Sequence, residues 1–194
     1  DISILIELDH PSFLKYYKFS PRGFGREHRP SLLSEYYSFN SLSEVIKNNP
    51  TNWTDTKKLI NIYGIASGMS YLHSRDILHR RLYASNVLVD QFYNPKVCDF
   101  LFTDHFDSID KIGKVIKMPK VCLPESLNGG EFTKKSDVYF YGFLVYHIMT
   151  NEPPFDNLSP AQLIINAINS KRPELKETIP HAYIDLIERC WNEE

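Results

Sequence analysis

The longest apolar stretch of this chain, residues 138–149, is twelve residues long. It includes three tyrosines and His147, and it is too short to span a bilayer, which takes about 20 apolar residues in a helix. A helix that is apolar on all of its faces has to be surrounded by other elements of the fold. The stretch therefore predicts a buried helix at the centre of a large globular core.

The size and charge of the chain limit what kind of domain it can be. Its 194 residues suffice for one good core and are too few for two typical domains. Hydrophobic residues make up 42% and charged residues 24%, which is ordinary for a globular domain. The formal net charge is −2, so neither nucleic acid nor an anionic membrane is expected as a partner.

Three cysteines, Cys98, Cys122 and Cys190, are scattered without the spacing of a disulfide framework or a metal site. We expect three reduced, mostly buried thiols and therefore a cytoplasmic location. No signal peptide or targeting motif is recognisable at the start. The chain begins with Asp1 rather than Met, so we expect the start to be a truncation.

The first part of the chain has the pattern of a short helix followed by a hairpin. Ile4, Leu5 and Leu8 share one helical face, and His10 with Pro11 ends that helix. Residues 13–19 and 31–37 are rich in aromatic and apolar residues and predict two strands, with a polar turn over residues 21–30 between them.

From Ser41 onward the hydrophobic period becomes helical. Ser41 and Glu44 have the spacing of a capping box at the start of a helix. Residues 99–125 show no clear period and predict a long loop. The other predicted elements are two short strands at 87–89 and 96–98 and four helices at 54–73, 138–150, 160–169 and 182–191. This order predicts an α+β fold that is mostly α, and it does not by itself name a function.

A group of motifs does carry functional information. In residues 77–90, His79, Arg80 and Asn86 have the spacing of the catalytic loop of eukaryotic protein kinases, where His-Arg-Asp is followed by four residues and Asn. Asp99 and Phe100 follow at the family's distance and resemble the Asp-Phe-Gly metal motif.

Five further segments resemble kinase motifs and stand in the family's order. They are residues 123–125 (Leu-Pro-Glu), 136–142, 152–155, 171–173 and 190–191. Seven matches in order across nearly the whole chain are far more specific than a single motif. The Cys-Trp pair at 190–191 favours the tyrosine-kinase-like branch.

The resemblance implies a protein-kinase-like fold in which residues 1–194 form a partial kinase domain. Residues 38–194 would be the large C-terminal lobe, and residues 1–37 a remnant of the N-lobe and hinge, comprising the end of the regulatory helix and a β-hairpin. Asp1 falls where the family has the Glu of the regulatory helix. The Gly-rich phosphate loop and the strand with the ATP-anchoring Lys are therefore expected to be absent from this sequence, which is a further reason to expect inactivity.

Arg81 occupies the position of the catalytic base in the resemblance. In the family this Asp accepts the proton of the substrate hydroxyl. A guanidinium stays protonated at physiological pH and has no acceptor, so it is unable to act as a general base. The alternative is that the register has slipped and Arg81 is an ordinary surface residue, but His79 and Asn86 on either side oppose a slip.

Asn86 and Asp99 resemble the two Mg²⁺ ligands, and both have oxygen donors suited to that ion. The alternative is that Asn86 caps local backbone and Asp99 is a loop acid. Glu35, Tyr37 and Leu88 match the remnant of the nucleotide cleft. No cofactor is expected, with residual binding of Mg–ATP as the alternative.

The remaining motif residues are given structural roles by the resemblance. Phe100 and His79 would belong to an internal hydrophobic stack, with Leu5 and Tyr16 above them. Asp137 would accept backbone N–H bonds from the catalytic loop. Leu101 replaces the Gly of the metal motif and removes its backbone freedom. Glu125 would need an Arg partner beyond Glu194, and if buried without one it would be costly. Arg80 would pair a phosphate on the activation loop, or would simply be bonded within the fold.

These expectations lead to one functional hypothesis and two alternatives. The chain is predicted to be a pseudokinase that acts as a binding or scaffold module in intracellular signalling, with other signalling proteins, including an active kinase, as partners. The first alternative is an active or weakly active ATP-dependent protein kinase, of the Ser/Thr or tyrosine-kinase-like type, of which this sequence is a truncated part. The second is a degenerate gene remnant without function.

Overall fold

The computed structural model describes residues 3–22, 31–37, 40–99 and 131–192. In the first range a short helix, α1 (Ser3–Glu7), is followed by strand β1 (Tyr16–Ser20), which pairs antiparallel with β2 (Ser31–Ser34). The predicted hairpin is confirmed, but its strands are shorter than the sequence predicted.

The first strand of the hairpin begins later, and the second strand ends earlier, than the sequence predicted. Phe13, which was predicted to begin the first strand, forms an isolated parallel bridge with Val97 instead of pairing within the hairpin. The second strand ends at Ser34 rather than at residue 37. The chain then continues with the backbone N–H of Glu35 donating to the carbonyl of Lys15 at 2.8 Å.

Helix α2 (Leu42–Asn48) begins at the predicted cap, but only half of the predicted capping box forms. The Ser41 hydroxyl accepts a hydrogen bond from the backbone N–H of Glu44 at 3.4 Å. The Glu44 carboxylate does not return the bond to Ser41, because it accepts from the Asn48 amide at 2.9 Å. The helix is held mainly by burial of one face, formed by Leu42, Val45 and Ile46.

The longest helix, α3 (Asp55–His73), lies one residue inside the predicted range of 54–73. Strands β3 (Val87–Val89) and β4 (Pro95–Val97) form a two-stranded antiparallel ladder. The predicted second strand was one residue too late, because Cys98 leaves the ladder and its backbone N–H donates to the carbonyl of Asn86 at 3.0 Å.

Helix α4 (Lys134–Thr150) is the central helix that the apolar stretch predicted, although it begins four residues earlier than expected. Its start is fixed by Ser136, whose hydroxyl accepts from the backbone N–H of Thr133 at 3.1 Å. Its end is fixed by Asn151, which adopts a left-handed conformation with φ of 61°. Most of its side chains are buried, and the one exposed side chain in the predicted stretch is Val138, at 42% exposed.

Two more helices complete the described part, α5 (Pro160–Ile168) and α6 (His181–Trp191). Helix α6 packs closely on α4 because position 142 is a glycine. A Cβ atom there would lie 2.7 Å from Nε1 of Trp191, closer than van der Waals contact allows. The Trp191 ring lies 4.8 Å from the ring of Phe143, measured between centroids.

The fold is α+β and mostly α, as predicted, and corresponds to a kinase-like C-lobe with a remnant of the N-lobe. Cys98 and Cys190 are buried free thiols, whereas Cys122 lies outside the described residues. Across the four described ranges, the helices are too short or too polar to cross a membrane. The division at residue 37 stays a prediction.

Candidate active site

The loop that carries the kinase-like motif is fastened to the central helix through Asp137. Its two carboxylate oxygens accept hydrogen bonds from the backbone N–H groups of His79, at 2.8 Å, and Arg80, at 2.7 Å. Asp137 is only 1% exposed, so these charge-assisted bonds form away from solvent. Arg80 adopts a left-handed backbone conformation with φ of 66°, which turns the chain at this point.

A third group on the Asp137 carboxylate was not predicted from the sequence. Nε2 of His73, the last residue of α3, lies 2.8 Å from Oδ2 of Asp137. The only signal in the sequence was a histidine at the end of a long helix, six residues before His79. One buried carboxylate therefore joins α3, α4 and the loop.

His79 lies fully inside the core, with no exposed surface. Burial lowers its pKa to about 4, so the ring is neutral at physiological pH. Its Nδ1 accepts a hydrogen bond from the backbone N–H of Arg81 at 3.2 Å, which fixes the turn that follows. Leu5 and Tyr16, the predicted stack partners, are also buried in the same core, whereas Phe100 lies outside the described residues.

Arg81 and Asn86 belong to one closed loop. The side-chain amide of Asn86 donates to the carbonyl of Arg81 at 2.7 Å, and the backbone N–H of Tyr83 donates to the same carbonyl at 3.0 Å. The Arg81 side chain itself is exposed. With His79 bonded on one side and Asn86 on the other, Arg81 has its backbone fixed at the position between the two motif residues.

The two residues that resemble metal ligands come from neighbouring segments. The backbone N–H of Cys98 donates to the carbonyl of Asn86 at 3.0 Å, and the Cys98 thiol donates to it at 3.3 Å. This pairing brings Asp99, the next residue, to the segment that carries Asn86. Asp99 is exposed and has a left-handed backbone, with φ of 62°.

Asn86 and Asp99 offer the oxygen ligands that a hard cation prefers, but two residues supply too few of them. The side-chain nitrogen of Asn86 donates within the loop, so the side-chain oxygen is the atom that could ligate a cation. Asp99 supplies a carboxylate. Mg²⁺ takes six oxygen ligands, so phosphates and waters would have to supply the rest. Within the described part of the chain, no group of three or more His, Cys, Asp or Glu side chains could hold a metal by itself.

The predicted cleft residues lie around Lys96. The Tyr37 hydroxyl donates to the Glu35 carboxylate at 2.5 Å, and burial together with this bond raises the pKa of Tyr37. Nζ of Lys96 lies 5.7 Å from the centroid of the Tyr37 ring. Leu88 pairs with Lys96 in the β3–β4 ladder and is half-buried. Glu125, like Phe100, falls outside the described residues.

Comparison with known proteins agrees with the motif order. The family model described as protein tyrosine and serine/threonine kinase matches residues 1–194. The chain is 31% identical over 203 residues to the serine/threonine-protein kinase CTR1 of Arabidopsis thaliana, and the match covers the whole of this chain and 24% of CTR1. It is 29% identical over 214 residues to the dual specificity protein kinase zakA of Dictyostelium discoideum, with 99% of this chain and 27% of zakA covered.

The chain thus spans about a quarter of the length of each of these two relatives. The match to the family model extends over all the motifs discussed above, including the loop that Asp137 fastens to the central helix. This chain belongs to the protein kinase family.

Proposed function

We propose that this chain is a pseudokinase domain, a kinase fold that serves as a binding or scaffold module and transfers no phosphate. The observation that carries the proposal is the position of Arg81. Its backbone is bonded to His79 on one side and to Asn86 on the other, which supports our assignment of Arg81 to the position of the family's catalytic base.

The chemistry of the arginine side chain supports the loss of activity. A general base has to accept a proton while the substrate hydroxyl attacks the γ-phosphate, and a guanidinium has no acceptor at any physiological pH. Arg81 also places a positive charge where the family has a negative one. Leu101 in place of the family's Gly adds a restriction on the backbone of the metal motif.

The architecture of the loop supports a role in binding. The buried carboxylate of Asp137 and the neutral ring of His79 hold the loop without taking part in phosphoryl transfer. We propose other signalling proteins as partners, including an active kinase, and a cytoplasmic location. The Cys190–Trp191 pair supports descent from the tyrosine-kinase-like branch.

Residual binding of nucleotide forms a separate part of the proposal. Asn86 and Asp99 could contribute two oxygen ligands to Mg²⁺ on a bound nucleotide. The family resemblance assigns Glu35, Tyr37 and Leu88 to the remnant of the nucleotide cleft. When bound, Mg²⁺ would neutralise phosphate charge. Titration of the purified protein with Mg–ATP in a thermal-shift assay tests this part, because a ligand that binds only the native state raises Tm with concentration. Asp99→Ala should abolish any such rise.

The second candidate function is a weakly active protein kinase. It is favoured by the presence of both Asn86 and Asp99 and by the similarity to CTR1 and zakA, which are named as protein kinases. Positioning of a hydroxyl against the phosphate contributes to rate even without a base. Arg81→Asp separates the two candidates when it is made in a protein that also carries a Gly-rich loop and an ATP-anchoring Lys. There it should create or raise transfer if Arg81 is the blocking residue. Equal rates of transfer with Arg81 and with Asp at this position would show that the loss of the catalytic base does not cause the inactivity.

A further inference from the structure

A cavity of about 220 Å³ lies beside the loop and opens to solvent between the loop, α2 and α4. Its walls are apolar where the loop meets α4, at Leu82, Phe143 and Leu144, and Pro153 and Pro154 line the part beyond the end of α4. Nothing in the function proposed above uses this cavity.

We propose that this cavity is a binding site for a neutral aromatic compound of one or two rings. The volume sets the size of the ligand. An engineered apolar cavity of about 150 Å³ accommodates benzene, and pockets for drug-sized ligands begin at about 300 Å³. A volume between these limits fits a compound such as indole.

The lining determines the charge and polarity of the ligand. Most of the described lining is apolar, which favours a neutral ligand over an ion. Phe143 and Tyr83 provide aromatic surface, against which a ring packs edge-to-face or offset. Ser43 and Ser85 bring hydroxyl groups to the cavity, which suits a ring with one N–H or O–H group.

The site would be coupled to the loop through covalent continuity. Residues 82–85 line the cavity and connect Arg81 directly to Asn86. A ring in the cavity would therefore contact the backbone segment on which both motif residues stand. This contact gives the site a route to change the conformation of the loop, independently of whether the protein transfers phosphate.

Indole is the probe for the test, added to the isotope-labelled protein and followed by NMR. We expect saturating shifts of the amide signals of residues 82–85 and 143–147, and intermolecular nuclear Overhauser effects between indole protons and the methyl groups of Leu82 and Leu144. Ser43→Trp, which fills the opening from α2, should abolish the saturating shifts. Ser70→Trp, the same change on the exposed face of α3, should leave them unchanged.

Several results would contradict binding of an aromatic ring in this cavity. Shifts that increase linearly without saturation, or that arise elsewhere in the protein, would overturn the proposal. So would binding that persists in a folded Ser43→Trp variant. The Overhauser effects require only the wild-type protein, so their absence at saturating indole overturns the proposal even if that variant does not fold.

Discussion

The backbone N–H of His79 donates to the carboxylate of Asp137 across 58 residues of sequence, at 2.8 Å. The same carboxylate accepts from Arg80 and contacts the ring of His73, so a single buried side chain organises the loop. The position of the loop therefore depends on the Asp137 carboxylate.

Asp137→Asn should loosen the loop and destabilise the domain. The substitution removes the charge and turns one acceptor oxygen into a donor that faces backbone N–H groups. Two charge-assisted bonds, each contributing about 1.5–3 kcal/mol, are affected, so we expect a loss of about 3 kcal/mol in the free energy of unfolding. Urea denaturation measures the loss, and hydrogen exchange should become faster at residues 79 and 80.

The matched control is Asp185→Asn, the same change on the exposed face of α6, which should alter stability by less than about 0.5 kcal/mol. Equal effects of the two substitutions would show that the Asp137 junction does not hold the loop.

The buried His79 predicts how stability depends on pH. Burial places its pKa at about 4 in the folded protein, below its ordinary value of 6.5. The unfolded chain therefore binds a proton more readily than the folded one between these values. The contribution of His79 is fully present above pH 6.5 and is lost as the pH falls toward 4, by about 3 kcal/mol in total.

Urea denaturation at several pH values between 7 and 4 measures this dependence against a His79→Asn variant. The variant keeps an acceptor near the N–H of Arg81 but has no group that titrates in this range. Its stability should fall less steeply with decreasing pH than that of the wild type. Parallel curves for the two proteins would contradict a neutral, buried His79.

The close approach of α4 and α6 predicts the effect of a single methyl group. In Gly142→Ala the new Cβ would meet Nε1 of Trp191 at 2.7 Å and Cβ of Cys190 at 2.8 Å. Overpacking of this kind costs about 1–3 kcal/mol, more than alanine gains as a helix former. Gly68→Ala on α3 is the control, because its Cβ would lie 3.3 Å from Cβ of Ser12. Thermal melts should rank Gly142→Ala below Gly68→Ala, and the reverse order would contradict this packing.

The two described cysteines should resist alkylation in the native protein. Burial raises the pKa of Cys98 to about 12 and that of Cys190 to about 11, so both are thiols at pH 8 and neither is exposed. In a Cys122→Ser variant, iodoacetamide at pH 8 should modify less than about 1% of the protein in the time that modifies the urea-unfolded chain completely. Rapid modification before unfolding, detected by mass spectrometry, would be inconsistent with the burial of these side chains.

Periodicity and motif order were sufficient for most of the fold. The apolar run at 138–149 predicted a buried central helix, and His79, Asn86 and Asp137 could be assigned to a loop and its anchor because motif spacing survives changes in the surrounding residues. Helix and strand ends were less accurate, because they depend on individual hydrogen bonds. The bond between the Thr133 N–H and Ser136 fixes the start of α4 before the predicted residue. The bond from the Cys98 N–H to Asn86 ends β4 one residue before its predicted end.

Other features of the site have no local signature in the sequence. His73 reaches Asp137 only because α3 and α4 pack side by side, and the two residues are 64 positions apart. The cavity beside residues 82–85 likewise arises from packing between segments that are far apart in the sequence. Contacts of this kind follow from tertiary packing, which periodicity does not encode.

We propose that the permanent positive charge of Arg81 prevents the transfer of phosphate. The direct measurement follows the γ-phosphate of labelled Mg–ATP onto the protein itself and onto a general protein acceptor. We expect the wild-type protein to give no signal above a blank without enzyme. Transfer above the blank that disappears in Asp99→Ala would contradict the claim and establish the protein as an active kinase.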